Sequence, residues 1–147
     1  MTPHVRVADW NNAHDQRALR RVRQQVFIDE QRVPVELEWD GQDTQALHFL
    51  AEKDSLALGC ARLLRHNGQG AQIGRMAVLP AYRGQGIGAA LMQSVLNQAT
   101  TLGITQLFLH AQVPVIGFYQ RFGFVAEGEI FLDAGIRHRT MRRKCAK

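Results

Sequence analysis

Cysteine is scarce in this 147-residue chain, which has only Cys60 and Cys145. Two such distant thiols build no disulfide framework and have no metal-ligand spacing, so neither a stapled mini-fold nor a metal module is expected. No apolar run approaches the ~20 residues that span a bilayer, which excludes a membrane-spanning helix. The segment from Met1 to Trp10 carries His4, Arg6 and Asp9 in place of an apolar signal core, so the protein is expected to stay in the cytoplasm. Repeats, low-complexity tracts and Pro/Ser-rich linkers are missing too, and the chain reads as one domain over residues 1–147. Acidic residues are the minority, 13 against 18 Lys and Arg, which leaves a formal charge of +5 and a sequence pI of about 9.9. Such a balance favours an anionic partner: nucleic acid, a membrane surface or a phosphate-bearing cofactor.

What is present is ordinary for a globular domain, with 46% hydrophobic and 21% charged residues. Val5 and Val7 alternate with polar neighbours and predict a first strand. Leu19, Val22, Val26 and Phe27 recur at helical spacing between Ala13 and Ile28. Gln31 to Gln45, with Pro34 and Gly41, reads as an irregular connection containing a short helical turn. Ala46 to Glu52 and Leu56 to Arg65 are strands around a turn at Lys53-Asp54-Ser55. Asn67, Gly68 and Gly70 mark a second turn before a strand from Gln72 to Leu79. An apolar stripe of Ile87, Leu91, Val95, Ala99 and Leu102 predicts a helix from Gly86 to Leu102, stopped by Gly103. Ile104 to Leu109 reads as a strand and Val115 to Phe122 as a short helix. Phe124 to Leu132 and Ile136 to Arg143 form a hairpin turning at Asp133-Ala134-Gly135. Together these predict a mixed, mostly antiparallel sheet flanked by helices, an α/β or α+β domain.

The strongest local signal joins a strand to a helix: Leu79-Pro80-Ala81-Tyr82-Arg83-Gly84-Gln85-Gly86-Ile87-Gly88. Pro80 ends the strand, alternate glycines let a ligand approach the backbone, and the free N–H groups of a helix start favour an anion. Arg83 offers a charge-assisted contact to a phosphate. A Walker A loop is excluded, because Ala89 and Ala90 follow Gly88 where Lys-Ser/Thr would be needed. Gly84, Gly86 and Ala89 fit the loose dinucleotide fingerprint. Against it, four residues separate the strand end from Gly84, and no acidic residue closes the strand Ile104 to Leu109.

Arg83-x-x-Gly86-x-Gly88 resembles the coenzyme A pyrophosphate loop of the GCN5-related N-acetyltransferase (GNAT) superfamily. Phe118-Tyr119-Gln120-Arg121-Phe122-Gly123-Phe124 resembles that superfamily's second signature. Val26-Phe27-x-x-Glu30-Gln31-x-Val33-Pro34 resembles a segment of small bacterial members. The resemblance runs from about Val5 to Lys144. It implies two central strands that splay apart, acetyl-CoA as cosubstrate without a metal, and acetyl transfer to a primary amine of a small molecule or peptide. Nucleic acid and membrane are not among the implied partners, and homodimers through terminal strands are common in the superfamily.

The resemblance also assigns residues. Backbone groups of Met76, Ala77 and Val78 are implied to hold pantetheine, and Arg83, Gly84, Gln85, Gly86, Ile87, Gly88 and Ala89 the pyrophosphate. Tyr119 matches the tyrosine that protonates the departing thiolate. His138, in a Gly-x-x-His hairpin pattern, matches a histidine near the acetyl group and is a candidate base, as are His110 and, through water, Glu30. Arg75 is a candidate to hold an anionic substrate group, with Glu30 beside it on the substrate side. Gly74 marks a candidate bulge. Gln112 and Gly117 stand where many members carry Asn and Ala. Two competing expectations follow from the residues themselves: Tyr119 as a packed ring among Phe118, Phe122 and Phe124, and Arg75 as a solvent-facing strand residue. For the whole chain the alternatives are a basic nucleic-acid-binding or scaffolding module and a coenzyme-A-binding sensor, the first motivated by the cluster from Arg137 to Lys144.

Overall fold

In the computed structural model, residues 3–66, 68 and 70–145 are described; Asn67, named in the second turn, lies outside them. Seven strands form one sheet in the order β1-β2-β3-β4-β5-β7-β6. Their ranges are β1 His4–Ala8, β2 Leu47–Lys53, β3 Leu56–Arg65, β4 Gly70–Val78, β5 Gln106–Gln112, β6 Val125–Asp133 and β7 Ile136–Lys144. Every pairing is antiparallel except β4 with β5. Four α-helices accompany it: α1 Ala13–Arg23, α2 Val35–Glu38, α3 Ile87–Thr101 and α4 Ile116–Gln120. The sheet is thus the mixed, mostly antiparallel one that the sequence predicts. No described helix is long and apolar enough to cross a membrane.

Two apolar clusters cover the faces of the N-terminal half of the sheet. Leu91, Met92 and Val95 of α3 pack on Phe49, Leu63, Ile73, Leu107 and Leu109, while Leu19 and Val22 of α1 pack on Leu50, Cys60 and Ala77. Strand β3 lies between both layers, so its residues Ala57 to Leu63 are buried on either face and form a near-continuous apolar run. Two hairpins turn on paired left-handed residues, Asp54 with Ser55 and Ala134 with Gly135, the geometry that matches the strand twist.

The helix expected from Ala13 to Ile28 changes character partway. After Arg23 the chain widens into a π turn, Gln24–Glu30, in which the Gln31 N–H donates to the Val26 carbonyl at 3.1 Å. Strand β5 extends beyond its expected end at Leu109 to Gln112, because β7 continues to pair with it there through Ala111↔Arg139 and Gln112↔His138.

Candidate functional site

The parallel ladder between β4 and β5 runs from Gly70↔Gln106 to Ile73↔Leu109 and stops. Beyond that point β4 follows β3 and β5 follows β7, so the two central strands diverge. A β-bulge sets off this divergence. On β3, Cys60 and Arg62 face Ala77 and Gly74, so β4 holds one extra residue against Ala61. The left-handed residue of the bulge is Arg75 (φ 52°), not Gly74, a strained backbone for a residue with a side chain. The Arg75 guanidinium explains how the strain is held. It lies 3.0 Å from Glu38 and 3.3 Å from Asp40, and donates to the Glu38 carbonyl at 2.9 Å.

Between the diverging strands lies a cavity of about 900 Å³. Met76, Ala77 and Val78 form one wall, Leu109, His110 and Gln112 face them, and the glycine loop, Tyr119 and His138 complete it. Of the candidate residues, Met76, Ala77, Val78, Arg83, Gly84, Gly86, Ile87, Gly88, Ala89, Tyr119, His138 and Arg75 line this cavity. Gln85 and Glu30 do not.

The loop at one end is built for backbone approach. Gly84 (φ 79°) and Gly86 (φ 83°) are left-handed, and a Cβ at either would meet no neighbour, so the space over them is open. Gly86 caps α3 without any side-chain hydrogen bond, and the first intrahelical bond runs from Ala90 to the Gly86 carbonyl. The N–H groups of Ile87, Gly88 and Ala89 therefore have no partner in the helix.

Arg83 points elsewhere. Its guanidinium grips Glu30 with two bonds of 2.7 and 2.8 Å, and its Nε donates to the Val78 carbonyl at 2.9 Å. The bonds from Arg83 hold the Glu30 carboxyl below its ordinary range, which makes it a weak proton acceptor. The π turn places Glu30 there and brings Gln31 across the cavity, where its side chain accepts from Gln112 at 2.9 Å.

At the other end sit the titratable rings. Burial pushes the Tyr119 hydroxyl up to about 12, so the phenol keeps its proton through the neutral range. Its ring packs edge-on to Phe118 and Phe124, at 5.1 and 6.3 Å, so the expected aromatic cluster exists and Tyr119 still borders the cavity. His138 is buried, and its Nδ1 lies 2.7 Å from the Ile136 carbonyl. A carbonyl can only accept, so Nδ1 carries the proton and Nε2 of the neutral ring is left as an acceptor. Phe131 stacks on His138 at 5.9 Å and meets His110 edge-on at 5.1 Å. Burial lowers His110 below the usual imidazole range, which keeps it neutral.

Sequence patterns did not single out the buried ionic cluster behind Arg75. Arg23 bonds Glu38 and Asp43, each at 2.8 Å, and Arg62 bonds Asp40 and Asp43 at 2.8 and 3.1 Å. Arg23 also lies near the rings of Trp10 and Trp39, at 5.7 and 4.8 Å. The one signal was an arginine falling on the apolar stripe Leu19, Val22, Val26. The terminal basic residues that suggested nucleic acid are partly engaged within the fold: Arg139 donates to the Gly128 carbonyl, Arg142 pairs with Glu127, and Arg143 donates to the Phe122 carbonyl. Cys60 is buried, its thiol pushed up to about 12 by burial, and inert.

Comparison with known proteins gives concordant matches. Residues 11–145 match the family model described as an acetyltransferase (GNAT) domain. YjcF of Bacillus subtilis, named an uncharacterized N-acetyltransferase, is 32% identical over 123 residues, covering 83% of this chain and 87% of its own. A crystal structure titled as an acyl-CoA N-acyltransferase from Pseudomonas aeruginosa superposes with a TM-score of 0.87 at 35% identity, covering 97% of this chain and 99% of that one. Escherichia coli ElaA superposes with a TM-score of 0.88 at 29% identity, covering 97% and 99%.

Proposed function

The chain belongs to the GNAT acetyltransferase family, and we propose that it is a single-domain N-acetyltransferase moving an acetyl group from acetyl-CoA to a primary amine of a small molecule or peptide. The observation that carries this is the seam where β4 and β5 part, with an uncapped helix start at one end of its cavity and a protonated phenol and an accepting imidazole nitrogen at the other.

Acetyl-CoA fits the groups present. Met76 and Val78 lie past the last β4–β5 pair, which leaves their outward backbone groups to the pantetheine amides. The loop from Arg83 through Gly84 and Gln85 to Ala89 suits the pyrophosphate, because its N–H groups are free and its glycines leave room. Once held, the cosubstrate supplies an acyl group activated as a thioester.

The remaining chemistry belongs to this chain. His138 Nε2 takes the proton that an ammonium must lose before it can attack, while the Ile136 carbonyl fixes the ring's tautomer. Tyr119 donates its hydroxyl proton to the departing sulfur as the C–S bond breaks and the N–C bond forms. Arg83 contributes first by closing the cavity wall through Val78 and Glu30, and reaches a phosphate only on leaving Glu30.

Calorimetry with acetyl-CoA and a thiol-release assay across an amine panel test this reading. Gly86→Val should weaken acetyl-CoA binding strongly, since valine resists a φ of 83° and fills the open space. Tyr119→Phe should lower kcat by ~10²–10⁴-fold with little change in acetyl-CoA affinity. A folded Gly86→Val protein with wild-type affinity would remove the loop from the site.

A further inference from the structure

The charges lining the cavity can be sorted by what the protein has already done with them. Glu38 is bonded to Arg23 and Arg75, and Arg75 to Glu38 and Asp40. Arg83 is bonded to Glu30. Two charged side chains of the lining remain without a hydrogen bond or ion pair among the described residues: Arg121 and Asp133. They sit at opposite ends. Arg121 lies over the Phe118 ring at 5.8 Å, and that ring packs 3.5 Å from where a Cβ of Gly88 would stand, beside the glycine loop. Asp133 ends β6 in the register of Ile136, while Phe131 faces His138 and His138 faces Gln112. Asp133 is thus on the face of His138 and one pleat further out, roughly 7 Å along the strand.

The cavity therefore keeps a free positive charge where phosphates are expected and a free negative charge at the acceptor end. No spare cation stands at that end to receive a carboxylate, because Arg75 is consumed by the bulge. His110 is held neutral by burial. A carboxylate beside the reacting nitrogen would hinder loss of its proton, but one pleat away it can bind a second charge without doing so.

Building on the acetyl-transfer proposal, we infer that the acceptor is a short diamine-like cation, its second ammonium held by Asp133 at the rim while the reacting nitrogen lies at His138 Nε2. The spacing suits 1,4-diaminobutane. Asp133 is then a specificity residue that touches substrate away from the reacting atoms.

Three acceptors of equal length separate the possibilities: 1,4-diaminobutane, 1-aminobutane and 4-aminobutanoate, whose far ends are positive, neutral and negative. With acetyl-CoA saturating, kcat/KM should fall in that order. An exposed ion pair is worth up to ~1 kcal/mol, so the diamine should lead the monoamine by about threefold to fivefold. Asp133→Asn should bring that ratio toward one, and Asp133→Lys should turn the preference toward 4-aminobutanoate. A ratio unmoved by Asp133→Asn, a wild-type preference for 4-aminobutanoate, or acetyl-CoA binding with none of the three acetylated would overturn the inference and leave acetyl transfer standing. Absence of acetyl-CoA binding by calorimetry would instead remove the acetyl-transfer proposal beneath it.

Discussion

The segment from Gln24 to Gln45 is fastened to the rest of the fold in two places, by opposite physics. At its far end Glu38, Asp40 and Asp43 meet Arg23, Arg62 and Arg75, three charges against three, with Arg23 1% exposed. At its near end Glu30 meets Arg83, and both side chains are about two-fifths exposed. Water cannot replace a lost partner in the first place and does so readily in the second. One wall of the cavity is thereby hung on a rigid anchor and an exchangeable clasp. Two ion-pair sites of similar bond length are not two equal contributions to stability.

The sharpest way to break this contrast is Arg23→Met. It leaves Glu38 and Asp43 buried with one partner fewer, and chemical denaturation should show a loss of about 3–5 kcal/mol. A loss below ~1 kcal/mol would make the anchor no different from the clasp.

Acid titration sharpens the contrast further. Burial alone would raise Asp40 and Asp43, but their bonds to arginine win; Asp40 falls to about 2 and Asp43 moves in the same direction. Carboxylates depressed in the folded state stabilise it fully above their unfolded value of ~3.9, and this is lost as pH falls through the folded value near 2. His48 adds an earlier loss. It donates from Nε2 to the Asp43 carbonyl and stacks on Trp10, and burial lowers its pKa. Its unfolded form gains a proton first, so stability should start to decline below pH ~6.5. Denaturation midpoints measured against pH should show both phases, and His48→Gln should erase the upper one. A single phase near pH 4 in wild type would mean that His48 is not coupled to folding.

The smallest effect belongs to the clasp. Glu30→Gln should change stability by no more than ~1 kcal/mol, and by less at high salt. A larger change, insensitive to salt, would show that the clasp is an anchor too.

The two fastenings also differ in how well the sequence announced them. Chemistry done by the backbone was the legible part. Pro80 and the glycines at 84, 86 and 88 predicted the strand end, the open loop and the start of α3, because only glycine tolerates such dihedrals and such proximity. Chemistry done by distant side chains was not. Nothing along the chain pairs Arg23 with Asp43 or Arg62 with Asp40, since their spacings carry no period and only the fold brings them together. Arg83 illustrates the limit at one residue: its place in the loop was evident, but its grip on Glu30 depends on where the π turn sets the carboxylate. Gly74 was the expected bulge residue by its freedom of φ, and Arg75 took that conformation because its guanidinium is held by Glu38 and Asp40. Strand β5 ran past its expected end for a similar reason, a partner in β7 outweighing local composition.

The π turn at Gln24–Glu30 makes the near fastening a matter of counting. A π turn is an α-helix with one residue too many, and each residue of an α-helix turns the chain by about 100°. Remove any one residue from this stretch and the helix can close into regular α form, but everything after it rotates by that angle. Glu30 then faces away from Arg83 and Gln31 away from Gln112, with every letter of the remaining sequence unchanged. The cavity wall is encoded here by the length of the segment as much as by its composition, so a chain one residue shorter can align well and still lack the clasp.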